Sequence, residues 1–237
     1  MLKIISFTLC PFVQRVTAML EALKVPYALE MISLKQKPDW FLALSPAGQV
    51  PVLVTPAGEA LFESDAIVEY IDEVYGPLSP GLSAEERAKH RAWSYQGAKL
   101  YLSQCSAMRS RDEATFLERK AVLDKGFARI DGVLPEQGFF IGGSWSAVDI
   151  AWLPVLHRAA IIQAHTGFDF LVDFPRVKQW QQTLLATPWC EASVTDDFEG
   201  VFSEFYLSDE TFLGQCSGIQ AGKQRDKTRA VQCDSCC

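Results

Sequence analysis

The stretch L-K-I-I-S-F-T-L-C-P-F-V-Q-R-V-T-A-M-L-E-A-L-K, residues 2–24, predicts one buried strand followed at once by an amphipathic helix. Pro11 stands at the expected first position of that helix, where its missing N–H would have had no partner. Cys10 therefore lies at the predicted helix N-terminus, where free N–H groups and the helix dipole favour an anion. We expect its thiol to ionise more readily than that of a free cysteine, and the thiolate is the reactive form.

A cysteine in a globular protein is more often an inert packing group than a nucleophile. Here, however, a strand, a short loop, Cys-Pro and a helix occur together. Residues 10–13 read C-P-F-V, so Val13 stands where a C-P-x-C motif would have its second cysteine. Disulfide exchange within the motif is excluded, and a single nucleophilic thiol that works with a small soluble thiol remains.

The overall composition is that of a soluble globular protein, with 237 residues of which 49% are hydrophobic and 22% charged. A net charge of −7 argues against nucleic acid as a partner, because such proteins need a basic face. No apolar run reaches the ~18 residues of a membrane-spanning helix, and the N-terminus shows no signal peptide. Seven scattered cysteines do not form a secreted disulfide framework, so we expect a reducing, cytoplasmic location.

The first 76 residues are predicted to form a βαβ unit followed by a ββα unit. Apolar and polar residues alternate over residues 27–34, which predicts a second strand. The strand, helix and strand form a βαβ unit, in which the two strands are parallel and the crossover is right-handed. The other predicted elements are a short helix or turn over 35–44, hairpin strands over 52–55 and 60–62, and a helix from 63–65 to Gly76 with Ile67, Val68, Ile71 and Val74 on its apolar face.

Two further motifs of this domain are candidates for a binding site. Val50-Pro51 enters a strand, a position where a cis peptide can be fixed, and the Val50 backbone could then face outward and pair with an extended peptide. Glu63-Ser64-Asp65 offers acceptors and a hydroxyl at a second helix N-terminus, which suits an amino-acid head group. Each motif also has a plain alternative: a proline at a strand start, and a serine that only caps its helix.

The rest of the chain is predicted to be a linker over 77–82, an all-helical domain over 83–213 and a disordered tail over 214–237. Ser83 with Glu86 is a capping box that opens one helix, and Ser146-Ala-Val-Asp149 starts a helix so apolar on all sides that it is expected in a core. The tail carries Cys233 and Cys236 at C-x2-C spacing, but no second pair completes a zinc site. The remaining predicted helices span Asp112 to Leu134 and begin at Phe174; the histidines, His90, His157 and His165, are read as structural, so no metal is expected.

The set C-P-F at 10–12, V-P at 50–51 and E-S-D at 63–65 resembles the glutathione-binding, thioredoxin-like domain of the glutathione transferases. The cysteine makes the chain most similar to the omega class and to its thiol-transferase and dehydroascorbate-reductase relatives. The resemblance covers residues 1–76. The helices predicted for the rest of the chain agree in outline with the second domain of this family. It implies a thioredoxin-like βαβ–ββα domain followed by an all-helical domain.

The resemblance also implies roles for individual residues, with glutathione as the co-substrate. Cys10 would form the mixed disulfide with glutathione, and Val50 would hold the cysteinyl backbone beside a cis Pro51. Lys37 would meet the glycyl carboxylate, although a solvated lysine is an equal alternative. The implied substrate-binding residues are Pro11, Phe12, Lys37, Val50, Pro51, Glu63 and Ser64, the last two for the γ-glutamyl end.

A second, small hydrophobic or disulfide substrate is implied for a pocket completed by the helical domain. Its candidate lining residues are also typical core residues, which is the commoner reading of such side chains. A homodimer is expected from the resemblance and from the prevalence of two-fold oligomers. The candidate lining residues are Trp93, Tyr101, Cys105 and Met108.

Three functions are consistent with these patterns. The first is a glutathione-dependent thiol transferase or reductase that uses Cys10, with glutathionylated thiols or dehydroascorbate as substrates. The second is conjugation of glutathione to electrophiles, which needs a donor near the glutathione sulfur; Thr8 is a nearer candidate than Ser6. The third is a binding or regulatory module without turnover, because one fold can carry unrelated functions.

Overall fold

The structure is a computed structural model that describes residues 1–76, 78 and 81–217. Its first part contains β1 (Leu2–Ser6), α1 (Pro11–Ala22), β2 (Tyr27–Met31), α2 (Asp39–Leu44), β3 (Val52–Val54), β4 (Ala60–Phe62) and α3 (Ser64–Tyr75). Its second part contains α4 (Ala84–Met108), α5 (Glu113–Asp131), α6 (Ala147–Thr166), α7 (Pro175–Leu185), α8 (Pro188–Ala192), α9 (Phe198–Tyr206) and α10 (Phe212–Ser217).

The first part is built on one four-stranded sheet with the order β2-β1-β3-β4. β1 pairs in parallel with β2 through α1, and antiparallel with β3, which forms a hairpin with β4. Ile4 and Ile5 of the central strand are fully buried, as expected of a strand covered on both faces. The predicted thioredoxin-like arrangement of βαβ and ββα units is confirmed.

Two details of this domain differ from the prediction. β2 ends at Met31 and not at Leu34, whereas the short helix that was one of the two alternatives for residues 35–44 is present as α2. In α3, Ile67, Val68 and Ile71 are buried as predicted, but Val74 is 53% exposed. The last turn of α3 lies largely at the surface, so the apolar face ends one turn earlier than the sequence pattern suggests.

The helical domain is organised around α4 and α6, which lie side by side. The predicted capping box at Ser83 with Glu86 is present, and a second one is formed by Ser146 with Asp149. α6 is buried on nearly all sides, as predicted from its uniformly apolar sequence. α7 ends at Leu185, and Pro188 opens the short α8, because proline is tolerated in a first helical turn.

The contact between α4 and α6 depends on a very close approach at Gly97. A Cβ added there would lie 2.7 Å from Cδ1 of Trp152, a distance that real side chains do not reach. The Trp152 indole N–H donates to the Trp93 carbonyl at 2.9 Å, and the Gln104 amide donates to the Val155 carbonyl at 2.9 Å. The Tyr101 hydroxyl donates to the carbonyl one turn earlier on α6. The two helices are therefore held in one register.

The start of α6 is fixed by the fully buried carboxylate of Asp149. It accepts from the backbone N–H of Phe140 at 2.9 Å and of Ser146 at 2.8 Å, from the Ser146 hydroxyl at 2.8 Å, and from the Trp180 indole N–H at 2.7 Å. Burial raises the pKa of Asp149, while these donors lower it. One side chain thus joins the loop before α6, the α6 N-terminus and α7.

The last described helix, α10, begins before the segment that was predicted to be disordered. Leu213 of α10 is fully buried, and the helix continues to Ser217, so the prediction of disorder is wrong for 214–217. The rest of that segment, with Cys233, Cys236 and Cys237, lies outside the described residues, as do linker residues 77, 79 and 80. The limits of the two domains stay predictions. None of the helices in the described ranges is long and apolar enough to cross a membrane.

Candidate active site

Cys10 is the N-cap residue of α1, and Pro11 is the first helical residue, as predicted. The backbone of Cys10 is extended, with φ −73° and ψ 118°, and its N–H donates to the Phe7 carbonyl at 3.0 Å. This short turn carries the chain from the end of β1 directly into the helix. The thiol is therefore held at the helix N-terminus by local geometry alone.

The loop before β3 brings a second motif to this thiol. Ser45 is buried, and its hydroxyl is within 2.9 Å of both the N–H and the carbonyl of Gln49, which closes the loop. The Val50–Pro51 peptide is cis, as predicted. The Cys10 thiol donates to the Val50 carbonyl at an Sγ–O distance of 3.7 Å. This carbonyl is thus directed at the thiol, whereas we expected the Val50 backbone to face outward.

The Glu63-Ser64 motif has an unusual backbone. Glu63 is the N-cap residue of α3, with φ 65°, a left-handed conformation that is uncommon outside glycine. Such strained positions cluster at functional sites. Ser64 is the first helical residue rather than the cap, and its hydroxyl makes no hydrogen bond within the described part of the chain. The alternative that Ser64 is only a helix cap is therefore wrong.

The two remaining predicted residues, Phe12 and Lys37, lie on different segments of the sheet domain. The Phe12 ring packs edge-on against Tyr101, with ring centroids 5.0 Å apart, so it joins α1 to α4. Lys37 lies beside the loop that carries Val50: its Nζ would be 3.6 Å from a Cβ added at Gly48. Its ammonium forms no ion pair within the described ranges, which leaves its predicted role open.

The ionisation of Cys10 differs from the expectation. Burial raises the pKa of its thiol from 9.0 to about 11, while the backbone N–H groups of Val13 and Phe12 and the charge of Arg158 lower it. The helix N-terminus acts in the predicted direction, but the loss of solvation outweighs it. The expectation of a lowered pKa is therefore wrong, because the helical domain covers the thiol and leaves only 9% of Cys10 exposed.

We expect the alkylation of Cys10 by iodoacetamide to accelerate about tenfold per pH unit from pH 7 to 10. A thiol with a pKa of about 11 is almost entirely protonated in this range, and only the thiolate reacts. The rate is measured by mass spectrometry of the peptide that contains Cys10, because other cysteines also react. A rate that levels off below pH 8 would contradict the high pKa.

Beside Cys10, the structure contains a crevice of about 270 Å³ that is partly open to solvent and is lined by both polar and apolar side chains. Side chains from the end of β1, from α1 and from the segment between α8 and α9 meet there. Sequence reasoning missed the last segment, since nothing in its local pattern distinguishes it from an ordinary loop. The polar residues of this wall are Ser6, Thr8, Gln14, Thr17, Ser193 and Thr195.

The predicted apolar lining residues on α4 do not line this crevice. Tyr101, Cys105 and Met108 are almost completely buried in the core, and Trp93 is half-buried against it. Tyr101, Cys105 and Met108 are therefore core residues, as the commoner interpretation of such side chains predicts. A larger cavity, of about 610 Å³, lies between α3 and α4 and contains none of the predicted site residues.

The three histidines have separate, structural contacts. His157 is hydrogen-bonded to Gln14 at 2.8 Å, and burial lowers its pKa to about 4. His165 contacts the Glu199 carboxylate at 2.7 Å, and His90 packs against the Phe140 ring. Within residues 1–76, 78 and 81–217, no group of three or more His, Cys, Asp or Glu side chains could hold a metal ion.

Comparisons with known proteins match both parts of the chain. Residues 9–74 match the family model of the glutathione S-transferase N-terminal domain, and residues 113–181 match that of the C-terminal domain. Glutathione S-transferase omega-1 of Sus scrofa is 27% identical over 214 residues, 88% of this chain and 87% of the relative. A probable cytosolic glutathione S-transferase DHAR1 of Oryza sativa subsp. japonica is 32% identical over 179 residues, 75% of this chain and 80% of the relative.

A solved structure shows the same fold. Glutathione transferase Omega 3C from Trametes versicolor aligns with a TM-score of 0.71 and 23% identity, covering 82% of this chain and 89% of that one. The likeness extends over the sheet domain and the helical domain together.

Proposed function

The chain belongs to the glutathione S-transferase family, as its motifs predicted, and on that premise we propose that it is a cysteine-type, glutathione-dependent thiol transferase. The observation that carries the proposal is the position of one thiol. Cys10 caps α1 directly beside the cis Val50–Pro51 peptide, with its Sγ 3.7 Å from the Val50 carbonyl. A thiol that only filled the core would need neither the helix N-terminus nor this loop.

The proposed reaction has two thiol–disulfide exchanges. In the first, the Cys10 thiolate attacks the glutathione sulfur of a glutathionylated thiol, which forms the Cys10–glutathione disulfide and releases the substrate as a thiolate. In the second, the thiolate of a free glutathione attacks the glutathione sulfur of this adduct. Cys10 leaves as a thiolate and glutathione disulfide is released. For dehydroascorbate, the net reaction oxidises two glutathione molecules and adds two electrons and two protons to the substrate.

We assign glutathione to the surface formed by the Val50 loop and the N-terminus of α3. The backbone of Val50 would pair with the cysteinyl part of the tripeptide, next to Pro51. The unused hydroxyl of Ser64 and the backbone at Glu63 are suited to the γ-glutamyl end, and α3 begins there with free N–H groups. Lys37 lies on the Val50 side, where it can reach the glycyl carboxylate.

Pro11 and Phe12 complete the proposed site on the side of α1. Pro11 fixes the start of the helix, and Phe12 packs on Tyr101. These contacts hold the thiol in a fixed position relative to the helical domain. The small size of the neighbouring crevice, about 270 Å³, favours a small second substrate over a large one. A homodimer and a cytosolic location stay predictions.

One observation favours the conjugation of glutathione to electrophiles as a second candidate. A pKa of about 11 keeps Cys10 protonated at neutral pH, and a protonated thiol can donate a hydrogen bond to a glutathione thiolate. Thr8 lines the crevice with Cys10 and offers a second donor. In this alternative the attacking sulfur belongs to glutathione, and no covalent adduct with the protein forms.

The two candidates are separated by the mass of the protein after incubation with glutathione disulfide. Thiol transfer predicts one glutathionyl group on the peptide that contains Cys10, and its removal by an excess of reduced glutathione. An unmodified Cys10 in protein that is retained on immobilised glutathione would favour conjugation. A protein that neither reacts nor binds to immobilised glutathione would be a module without turnover.

A further inference from the structure

Arg158 of α6 is a charged group buried beside the turn that carries the proposed nucleophile. Its side chain is completely buried, and within the described ranges no carboxylate forms an ion pair with it. The comparison with Arg15 is informative, because that buried guanidinium is paired with the Asp65 carboxylate. Burying a guanidinium without an anion carries a desolvation cost that hydrogen bonds to neutral groups offset only in part.

All the observed partners of Arg158 are neutral. Nη2 donates to the Leu9 carbonyl at 3.2 Å, and Nη1 donates to the Pro154 carbonyl at 3.0 Å and to the Gln14 side-chain oxygen. The guanidinium lies over the Phe198 ring at 5.3 Å from its centroid. Its Nε is buried and makes no hydrogen bond. The group is thus held firmly, but its charge is not compensated.

These hydrogen bonds place the guanidinium directly under the active-site turn. Leu9 precedes Cys10 in the chain, and Gln14 lies one helical turn after it, with its N–H donating to the Cys10 carbonyl at 3.2 Å. The cation therefore contacts both sides of the residue that carries the thiol. Arg158 lies 148 residues after Cys10 in the sequence (158 − 10), so only the folded helical domain can bring the guanidinium to this place.

Few groups that face Arg158 can supply the missing negative charge. The Tyr101 hydroxyl donates to a backbone carbonyl, and burial raises its pKa, so it stays neutral. His157 is neutral above a pKa of about 4. Among these groups, Cys10 is the one that the proposed reaction requires in an ionised form. The titratable groups that face the guanidinium are Cys10, Tyr101 and Cys105 of α4, Tyr206 of α9 and the neighbouring His157; Cys105 also faces Cys10.

We propose that Arg158 is a positioning residue whose buried charge is the counterion of the Cys10 thiolate. The proposal rests on the proposed function, because a thiolate is needed for thiol transfer. Burial by the helical domain makes Cys10 harder to ionise, and the same domain supplies the cation that opposes this effect. When Cys10 ionises, the uncompensated charge of Arg158 acquires its partner.

The test compares Arg158→Gln and Arg158→Lys with the unsubstituted protein in the pH dependence of Cys10 alkylation by iodoacetamide. An opposite charge at short range shifts a pKa by about 1–3 units, and the higher nucleophilicity of a thiolate of higher pKa offsets part of the loss in rate. We therefore expect Arg158→Gln to alkylate about tenfold more slowly between pH 7 and 10. Arg158→Lys should keep most of the rate, because it keeps the charge.

Phe198→Leu is the matched control. It removes the ring under the guanidinium and keeps the charge, so it should lower the unfolding temperature and leave the alkylation profile unchanged. A profile for Arg158→Gln that coincides with that of the unsubstituted protein overturns the proposal. The measurement uses no glutathione and no turnover, so its outcome is independent of whether thiol transfer occurs.

A second variant covers the case in which Arg158→Gln does not fold. Gln14→Glu keeps the shape of the residue and places a carboxylate on the atom that already accepts from Arg158. It compensates the buried charge but loses the amide N–H groups that contact His157 and Ser193. In the folded variant, Cys10 alkylation should slow about tenfold, for the same reason. An unchanged alkylation profile in a folded Gln14→Glu protein overturns the proposal equally.

Discussion

Replacing Cys10 with alanine is expected to reduce the release of glutathione from a glutathionylated peptide by about three orders of magnitude or more, because Cys10 is the proposed covalent nucleophile. The thiol lies at the N-terminus of α1 and faces the Val50 carbonyl, a combination that no other described cysteine has. The released product is followed by coupling to glutathione reductase and NADPH.

Cys190→Ala is the control for a general effect of losing a thiol. Cys190 is buried like Cys10, and burial raises its pKa to about 12, but it lies in α8 without a cis-proline loop beside it. Its removal should leave thiol transfer unchanged. Activity that survives in Cys10→Ala would contradict the proposed mechanism. A Cys10→Ser variant that gains conjugating activity would show that both reactions use one site.

Replacing Asp149 with alanine is expected to lower the free energy of unfolding by about 3–5 kcal/mol, the largest loss of stability we expect from a single polar residue. The substitution removes the acceptor of three N–H groups and one hydroxyl, all close to a fully buried carboxylate. These donors would be left in the core without partners. The loss is measured by urea unfolding followed by circular dichroism.

Glu86→Ala tests whether burial, and not the capping-box motif itself, produces this effect. Glu86 occupies the same position in the box that opens α4, where it accepts from the Ser83 N–H at 2.8 Å, but it is exposed to solvent. Water can replace the lost acceptor there, so the loss of stability should be much smaller than for Asp149→Ala. Equal losses in the two variants would contradict the role assigned to the buried carboxylate.

The parts of the site that depend on neighbouring residues could be predicted from the sequence. Cys10 as the residue before a helix, with Pro11 at its first position, follows from the local order of apolar and special residues. The cis peptide at Val50–Pro51 and the helix that begins at Ser64 follow in the same way. These features are local, so a short window of sequence contains the information that sets them.

The ionisation of the thiol could not be predicted in this way. The N–H groups of Phe12 and Val13 act on Cys10 as expected, but its pKa is dominated by burial under distant helices. Arg158 escaped notice for the same reason, since an arginine in an apolar helix gives no sign of which group it will face. Ser193 and Thr195 reach the crevice only through the packing of α8 against α1. The local sequence thus sets the backbone of the site, whereas the ionisation of its thiol depends on packing between distant parts of the chain.

Gly97 extends this dependence to a position that touches none of the reacting groups. Because the Trp152 ring occupies the space where a side chain would begin, α4 and α6 can approach only while this residue has none. α6 in turn carries the guanidinium beneath the active-site turn. A replacement at position 97, even by alanine, is expected to force a shift of Trp152 or of the two helices and so to disturb the position of Arg158. We therefore expect this position to tolerate little besides glycine, although it touches none of the groups of the proposed site.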